Sequence, residues 1–249
     1  MGGWLRRRLG ATPSSVTVRG GVGEGLAMGT AHSSADYADG TNELPVQEVV
    51  RDSLAPGGVF YDVGANVGFF GLIAARIVGR AGAVYAFEPL PHVAAEARAN
   101  ADRNRLANVE VLEVAAGDRE GTASLVLTRH PGGATLSEAD VGDDAVGRVT
   151  VRTVRLDDLV AAGTIRPPDA VKIDVEGVEL EVIDGLRRTI AECRPVIVCE
   201  LDAATRARAD EKVRGAAEAL SGLGYDVRRL PSSYEGSGWH VVHVVARPA

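Results

Sequence analysis

The stretch VFYDVGANVGFF, residues 59–70, decides the fold of this 249-residue chain. Residues 59–63 are apolar and β-favouring apart from one acid, Asp62, and such a run predicts a buried parallel strand. A turn of small residues follows. Apolar side chains then recur at helical spacing, at Phe69, Leu72, Ile73 and Ile77. Because a strand, a glycine turn and a helix follow in this order, the stretch predicts the opening of a nucleotide-binding βαβ unit.

The residues of the turn indicate which kind of cofactor it accommodates. A dinucleotide-binding turn carries three glycines, which let a pyrophosphate approach the N-terminus of the helix. This chain has Gly64 and Gly68 there, and Asp62 stands just before the turn. A carboxylate at that position would repel a pyrophosphate, whereas it suits a ligand with a positive end and no phosphate, such as S-adenosylmethionine. A strand-to-helix turn that binds no ligand is the alternative interpretation.

The composition is that of an ordinary globular protein, with 45% hydrophobic and 24% charged residues. The net charge of -7 argues against a surface that coats nucleic acid, so we expect no nucleic-acid partner. No apolar run reaches the ~18 residues of a membrane helix, and none follows the arginines at positions 6–8 as a signal peptide would require. We therefore expect a cytoplasmic protein without a membrane partner, in which Cys193 and Cys199 are reduced thiols.

The pattern along the chain divides it into two parts. Residues 1–45 are rich in Gly, Ser and Ala and contain two short β-favouring runs around a glycine turn, at 16–18 and 26–28. They predict an N-terminal extension, a hairpin followed by a loop, that packs on the core or caps it. Residues 46–249 predict one large α/β domain, which opens with a helix at 45–54.

Strand and helix patterns alternate through the second part, with one interruption. After the first strand, β-favouring runs lie at 83–87, 109–114, 122–127, 149–154, 170–175, 195–201, 225–230 and 240–246. The third and fourth of these runs break the alternation and predict an inserted hairpin or two strands beside the sheet edge. A single helix is predicted at 178–193, and the last two runs predict an antiparallel pair. The expected fold class is α/β, a doubly wound, mostly parallel sheet with an antiparallel edge strand.

Acidic residues follow the predicted strands at the edge where such sheets bind their ligands. They are Asp62, Glu88, Asp174, Glu176 and Glu200. Glu88 comes about 20 residues after the last glycine of the turn, where an acid can accept hydrogen bonds from ribose hydroxyls. In this architecture the loop that contains Ala116 and Gly117 would border the adenine.

These motifs resemble those of FkbM-type methyltransferases. The matching segments are DVGANVG at 62–68, FEP at 87–89, AAGD at 115–118, LD at 156–157, KIDVEG at 172–177 and PVIVCE at 195–200. Gly40 and Glu43 are similar to the family's lead-in to the first helix. The resemblance spans roughly residues 40–202 and implies a class I, Rossmann-like, S-adenosylmethionine-dependent methyltransferase. It further implies O-methylation of a hydroxyl group on a small metabolite or a sugar-containing natural product.

The resemblance also implies a set of cofactor contacts. Gly64 and Gly68 would allow close backbone approach, and Asp62 would order the turn or face the methionine ammonium. Asn66 would bind the methionine carboxylate. The other implied contacts are Ala65, Phe69, Glu88, Pro89, Ala116, Gly117 and Glu43. For Phe69, a place in the core explains the residue equally well.

Methyl transfer is an in-line displacement, so the protein must align the acceptor oxygen and remove its proton. Asp174 would lie beside the methyl group, and Asp174, Glu176 or Glu200 would act as the base or orient the acceptor. His130, in the inserted loop, is a further candidate base. An ion pair between Asp174 and Lys172 is the simpler interpretation of that acid. As in catechol-type O-methyltransferases, Asp174 and Glu200 could instead hold Mg²⁺.

We expect a small-molecule acceptor, and the protein could act as a homo-oligomer. Three other functions compete with O-methylation. N-methylation of a small molecule or peptide needs no strong base if the amine arrives neutral. A nicotinamide-dependent oxidoreductase is disfavoured by the missing third glycine and by Asp62. A non-catalytic cofactor-binding protein is disfavoured because Asp62, Glu88 and Asp174 are all present.

Overall fold

The structure, a computed structural model, describes residues 15–30, 35–128, 134–135, 145–234 and 240–249. His130, a candidate base in the sequence, lies outside the described residues. Among the helices that the structure describes, none is long and apolar enough to cross a membrane.

The N-terminal segment forms a hairpin and two helices, β1 (Ser15–Thr17), β2 (Ala27–Gly29), α1 (Ala35–Asp39) and α2 (Leu44–Ser53). The two strands pair antiparallel, which confirms the predicted hairpin. Two buried amides fix the hairpin, Asn100 on the core and Gln47 within the segment itself. Asn100 accepts a hydrogen bond from the Gly29 N–H (2.8 Å) and donates one to the Val67 carbonyl (2.9 Å). Gln47 accepts one from the Val22 N–H (2.9 Å).

The opening βα units follow the predicted order, with β3 (Val59–Val63), α3 (Phe69–Val78), β4 (Ala83–Phe87), α4 (Pro91–Arg103) and β5 (Val109–Leu112). The three strands pair in parallel. Every residue of β3 is buried, because helices cover both faces of the sheet. Phe60 belongs to the core cluster under α2, α3 and α4, and Tyr61 belongs to the cluster on the opposite face.

A second, smaller sheet interrupts the alternation. Its strands are β6 (Ala115–Ala116), β7 (Gly121–Thr128), β8 (Ala134–Thr135) and β9 (Ala145–Val154), in the order β6-β9-β7-β8. β7 pairs antiparallel with both β8 and β9, whereas β6 pairs parallel with β9. The two predicted β runs therefore form an inserted sheet that is separate from the main one.

The alternation resumes with α5 (Leu156–Ala161), β10 (Ala170–Ile173), α6 (Glu179–Gly185), α7 (Arg187–Cys193), β11 (Val196–Ala203), α8 (Arg206–Ser221), β12 (Tyr225–Arg229) and β13 (His240–Pro248). The single helix predicted at 178–193 is in fact two helices. The buried carboxylate of Asp157 explains the break, because it accepts hydrogen bonds from the N–H groups of Arg188 (3.0 Å) and Thr189 (2.9 Å). These are free donors of the first turn of α7, so Asp157 acts as a cap for that helix.

In the described part of the chain, the main sheet has seven strands in the order β12-β13-β11-β10-β3-β4-β5. β13 pairs antiparallel with both β11 and β12, so the predicted antiparallel strand lies one place inside the edge, and β12 is the edge strand. The rest of the sheet matches the predicted doubly wound arrangement. The chain order reverses between β3 and β10, which is where such sheets open a crevice at the carboxyl ends of their strands.

Candidate active site

A cleft opens at the carboxyl ends of β3, β4 and β10. The predicted site residues that line it are Glu43, Asp62, Gly64, Ala65, Asn66, Phe69, Glu88, Pro89, Ala116, Asp174 and Glu176. Gly68, Gly117 and Glu200 are not among its lining residues. Residues that the sequence did not single out for this cleft include Tyr37, Phe70, Leu90, Leu125 and Val178.

The two glycines of the turn have different structural roles. Gly64 has a φ of 81°, and a Cβ atom on it would lie 1.7 Å from the carbonyl oxygen of Asp174. Gly68 has a φ of 85°, and a Cβ atom on it would lie 3.3 Å from the Cβ of Ala97 in α4. Gly64 therefore lets the ends of β3 and β10 approach each other, while Gly68 lets α3 begin against α4.

Asp62 is buried at the end of β3 and orders the start of α3. Its Oδ2 accepts a hydrogen bond from the Gly71 N–H at 2.7 Å. Burial raises the pKa of this carboxyl group to about 6. Because Asp62 also lines the cleft, the two predicted roles, ordering the turn and facing a cation, are compatible.

Glu88 links the two loops that follow β3 and β4. Its Oε2 accepts a hydrogen bond from the Asn66 N–H (3.0 Å) and its Oε1 accepts one from the Leu90 N–H (2.9 Å). Burial raises the pKa of Glu88 to about 7. Asn66 has a φ of 49°, and its side-chain Oδ1 accepts a hydrogen bond from the Val67 N–H, so this side chain shapes the turn locally.

An ion pair between Lys172 and Asp174 occupies the end of β10. Lys172 Nζ donates to Asp174 Oδ2 at 2.6 Å and lies 4.6 Å from the centre of the Phe70 ring. Lys172 is buried, and although burial opposes its charge, Asp174 and then Glu43 raise its pKa. Burial raises the pKa of Glu176, two residues after Asp174, to about 8. The ion pair between Lys172 and Asp174, the simpler interpretation of these residues in the sequence, is thus present in the structure.

Behind this ion pair lies a group of four side chains, Glu43, Glu200, Tyr234 and His243, which we call the buried carboxylate cluster. His243 Nε2 lies 2.7 Å from Glu200 Oε2 and 3.1 Å from Glu43 Oε2. The Tyr234 hydroxyl donates to Glu43 Oε1 at 3.0 Å. His243 was not predicted as a site residue, because only the pairing of β11 with β13 brings it opposite Glu200.

The structure does not favour the predicted Mg²⁺ pair of Asp174 and Glu200. In the described part of the chain, one group of three side chains of types that can ligate a metal has ligand atoms within 4.8 Å of one another, and its members are Glu43, Glu200 and His243. Asp174 is outside this group and carries the Lys172 ammonium instead. A histidine that bridges two carboxylates also departs from the all-oxygen set that Mg²⁺ prefers.

Comparison with known proteins identifies the domain. Residues 62–227 match the family model described as "Methyltransferase FkbM domain". The chain is 26% identical over 196 residues to "Hexuronic acid methyltransferase AglP" of Haloferax volcanii, covering 78% of each chain. It is 32% identical over 178 residues to "31-O-demethyl-FK506 methyltransferase FkbM" of Streptomyces tacrolimicus, covering 57% of this chain and 68% of that one.

The fold is also found among solved structures. The crystal structure of "Methyltransferase FkbM" from Methylobacillus flagellatus superposes with a TM-score of 0.51 and 16% identity. The match covers 80% of this chain and 50% of the other. At this level of identity the likeness supports the fold alone, and it agrees with the seven-stranded sheet described above.

Proposed function

The chain belongs to the FkbM methyltransferase family and is an S-adenosylmethionine-dependent methyltransferase, and from this premise we propose that it methylates a hydroxyl group on a small metabolite or a sugar-containing natural product. The observation that carries the proposal is the ion pair of Asp174 with Lys172 at the end of β10, which lies in the same cleft as the glycine turn. The names of the two relatives support the acceptor class, since one names a hexuronic acid and the other an oxygen of FK506.

The cofactor end of the cleft suits a cationic ligand with hydroxyl groups. Asp62 and Glu88 are buried, and among the described residues both accept hydrogen bonds from backbone N–H groups without forming an ion pair. S-adenosylmethionine supplies the methyl group as part of a sulfonium cation when it is bound. In our proposal Glu88 accepts hydrogen bonds from the ribose, and Asp62 offsets the positive charge of the ligand.

The acceptor end needs a group that holds the hydroxyl and takes its proton. We assign this role to Asp174. Its Oδ2 is fixed by Lys172, so Oδ1 is the oxygen that would accept the hydrogen bond of the acceptor hydroxyl. Burial raises the pKa of Glu176 to about 8, so at pH 7 this group holds a proton and orients the acceptor instead.

A panel of acceptors tests this function. The purified protein is incubated with S-adenosylmethionine and, in separate reactions, methyl glucoside, methyl glucuronide, a cyclic 1,2-diol and the corresponding amino sugar. We expect S-adenosylhomocysteine release together with a methyl ether product, detected by mass spectrometry. Asp174→Asn should retain the cofactor affinity and lose turnover by about 100-fold, the scale of general-base catalysis. A methylated amine as the only product would contradict hydroxyl transfer.

A further inference from the structure

The buried carboxylate cluster is not accounted for by cofactor or acceptor binding alone. Glu200 is on β11, His243 on β13, Tyr234 after β12, and Glu43 at the N-terminus of α2. Four separate parts of the fold thus converge on one imidazole ring. The His243 side chain is only 1% exposed, so it does not reach the solvent or the cleft directly.

The imidazole lies between two carboxylates. His243 pairs with Glu200 directly across the β11–β13 ladder, and its Nε2 is within 3.1 Å of one oxygen of each acid. The Tyr234 ring stacks on the imidazole at 6.2 Å between ring centres. Two buried carboxylates that both approach one nitrogen atom this closely repel each other unless a positive charge lies between them. A protonated imidazole at His243 provides that charge.

Glu43 transmits this arrangement to the cleft. It is the member of the cluster that lines the cleft, and its Oε2 lies 3.9 Å from Lys172 Nζ. Lys172 in turn holds Asp174. The backbone of Glu43 has a φ of 46°, a left-handed conformation that is uncommon for a residue with a side chain. A strained backbone and a buried acid at one residue indicate that the surrounding contacts fix Glu43 in place.

We propose that His243, in its protonated form, is a positioning residue that keeps Glu43 ionised and directed at Lys172, so that Lys172 and Asp174 stay aligned for the acceptor. The inference rests on the proposed hydroxyl transfer at Asp174. It assigns no contact between His243 and the substrate. The effect passes through Glu43.

The charges of His243 and Glu43 agree with this role, whereas burial raises the pKa of Glu200. Burial opposes the charge of His243, but its hydrogen bond with Glu200 and the nearby Glu43 carboxylate outweigh it and raise the His243 pKa to about 9. Burial also opposes ionisation of Glu43, but Lys172 and His243 lower its pKa to about 2. On its outer side the ring borders a groove that is also lined by five titratable side chains, Arg206, Asp210, Arg229, Tyr234 and His240. Arg229 pairs with Asp210, so that acid is already neutralised.

A divalent metal ion is the competing explanation for the same three side chains. Their ligand atoms lie close enough together to share an ion. However, the Lys172 ammonium is 3.9 Å from Glu43, and a second cation between the same carboxylates would be repelled by it. A protonated His243 carries a single positive charge, so Lys172 repels it less than it would repel a divalent ion, and we favour the imidazolium.

The first experiment needs no acceptor. Nuclear magnetic resonance of ¹⁵N-histidine-labelled protein follows the titration of each ring, and we expect one ring, absent from the spectrum of His243→Gln, to titrate near pH 9. Glu200→Gln should lower that midpoint by one pH unit or more. His240→Gln, an exposed histidine on the same strand, should leave it unchanged. A midpoint below pH 7 overturns the proposal, whether or not an acceptor has been found.

The second experiment uses an acceptor from the panel. His243→Gln should lower kcat/KM at least tenfold while changing the dissociation constant of S-adenosylhomocysteine less than threefold. The wild-type rate should fall above pH 9, and that alkaline limb should be absent in the variant. Adding Glu200→Gln to His243→Gln should restore part of the rate, because one of the opposing carboxylates is then neutral. Loss of wild-type activity in a chelator, with recovery in Mn²⁺ or Zn²⁺, would show a metal site and overturn the proposal.

Discussion

A Cβ atom on Gly64 would lie 1.7 Å from the carbonyl oxygen of Asp174. The glycine turn at the cofactor end and the acid at the acceptor end are thus in direct backbone contact. The register of β3 and β10 fixes this contact, since Val63 pairs with Ile173 one residue earlier. The spacing between the two halves of the site is therefore set by the sheet rather than by mobile side chains.

This contact predicts an unusually severe effect of Gly64→Ala. Gly57 is the matched control, because it also has a positive φ (87°) but no atom within 4 Å of an added Cβ. Gly57→Ala should lower the free energy of unfolding by about 1–2 kcal/mol, the strain of a left-handed alanine. Gly64→Ala should lower it by about 3 kcal/mol more, or prevent folding, because β10 must move. Urea denaturation measures both, and equal losses would contradict the account.

The raised pKa of Glu88 predicts that cofactor binding depends on pH. Glu88 is ionised above about pH 7, and only the ionised form accepts hydrogen bonds at both oxygens. The affinity for S-adenosylhomocysteine should fall about tenfold between pH 8 and pH 6. Glu88→Gln should bind more weakly at pH 8 and lose this dependence, whereas the exposed Glu110→Gln should retain it.

The same shift has an opposite consequence for the stability of the ligand-free protein. The folded-state pKa of Glu88 lies above its ordinary value of 4.5, so the folded state binds its proton more tightly than the unfolded state. The contribution of Glu88 to stability should therefore increase as the pH falls from about 7 towards 4.5. Thermal denaturation of the wild type and Glu88→Gln over this range measures it. A contribution that decreases in this range would contradict the assignment.

The burial of Lys172 predicts that its charge is needed for folding. Its side chain is 3% exposed, and Lys172→Met would leave the Asp174 carboxylate without its partner. We expect a loss of about 3–5 kcal/mol in the free energy of unfolding. Lys212→Met is the comparison, since that ammonium is 3.6 Å from Asp202 but more exposed, and its removal should lose about 1 kcal/mol. Similar losses in the two variants would contradict the role of Lys172.

The hydrogen bonds of Asn100 predict how firmly the N-terminal hairpin is attached to the core. Its amide bonds both β2 and the turn after β3, and the residue is fully buried. Asn100→Ala should leave two backbone groups unsatisfied and lower the stability by about 2 kcal/mol. Hydrogen exchange should show the Gly29 amide opening about 30-fold more often. Unchanged exchange at Gly29 would mean that other contacts hold the hairpin.

The sequence predicts the parts of this structure that depend on local patterns. The strand at residues 59–63, its glycine turn and the helix from Phe69 follow from periodicity and turn chemistry within a dozen residues. Most of the predicted cofactor residues consequently line one cleft. Gly68 and Gly117 do not line it, since Gly68 packs against α4 and the carbonyl of Gly117 packs against Gly185.

Contacts between distant segments account for what the sequence did not predict. Asp157 caps a helix that begins 30 residues later, so the break between α6 and α7 has no local signal. His243 faces Glu200 only because β13 inserts between β11 and β12, and that insertion depends on the whole sheet. Tyr37 reaches the cleft from α1, a five-residue helix too short to show periodicity.

The central claim is that the cleft beside the glycine turn binds the methyl donor, and titration calorimetry tests it most directly. We predict that S-adenosylhomocysteine binds the wild type with one site per chain and that NADH does not bind. The affinity should fall at least tenfold in both Asp62→Asn and Glu88→Gln and remain unchanged in Glu110→Gln. Tight binding of NADH without binding of S-adenosylhomocysteine, or full affinity in both cleft variants, would contradict the account.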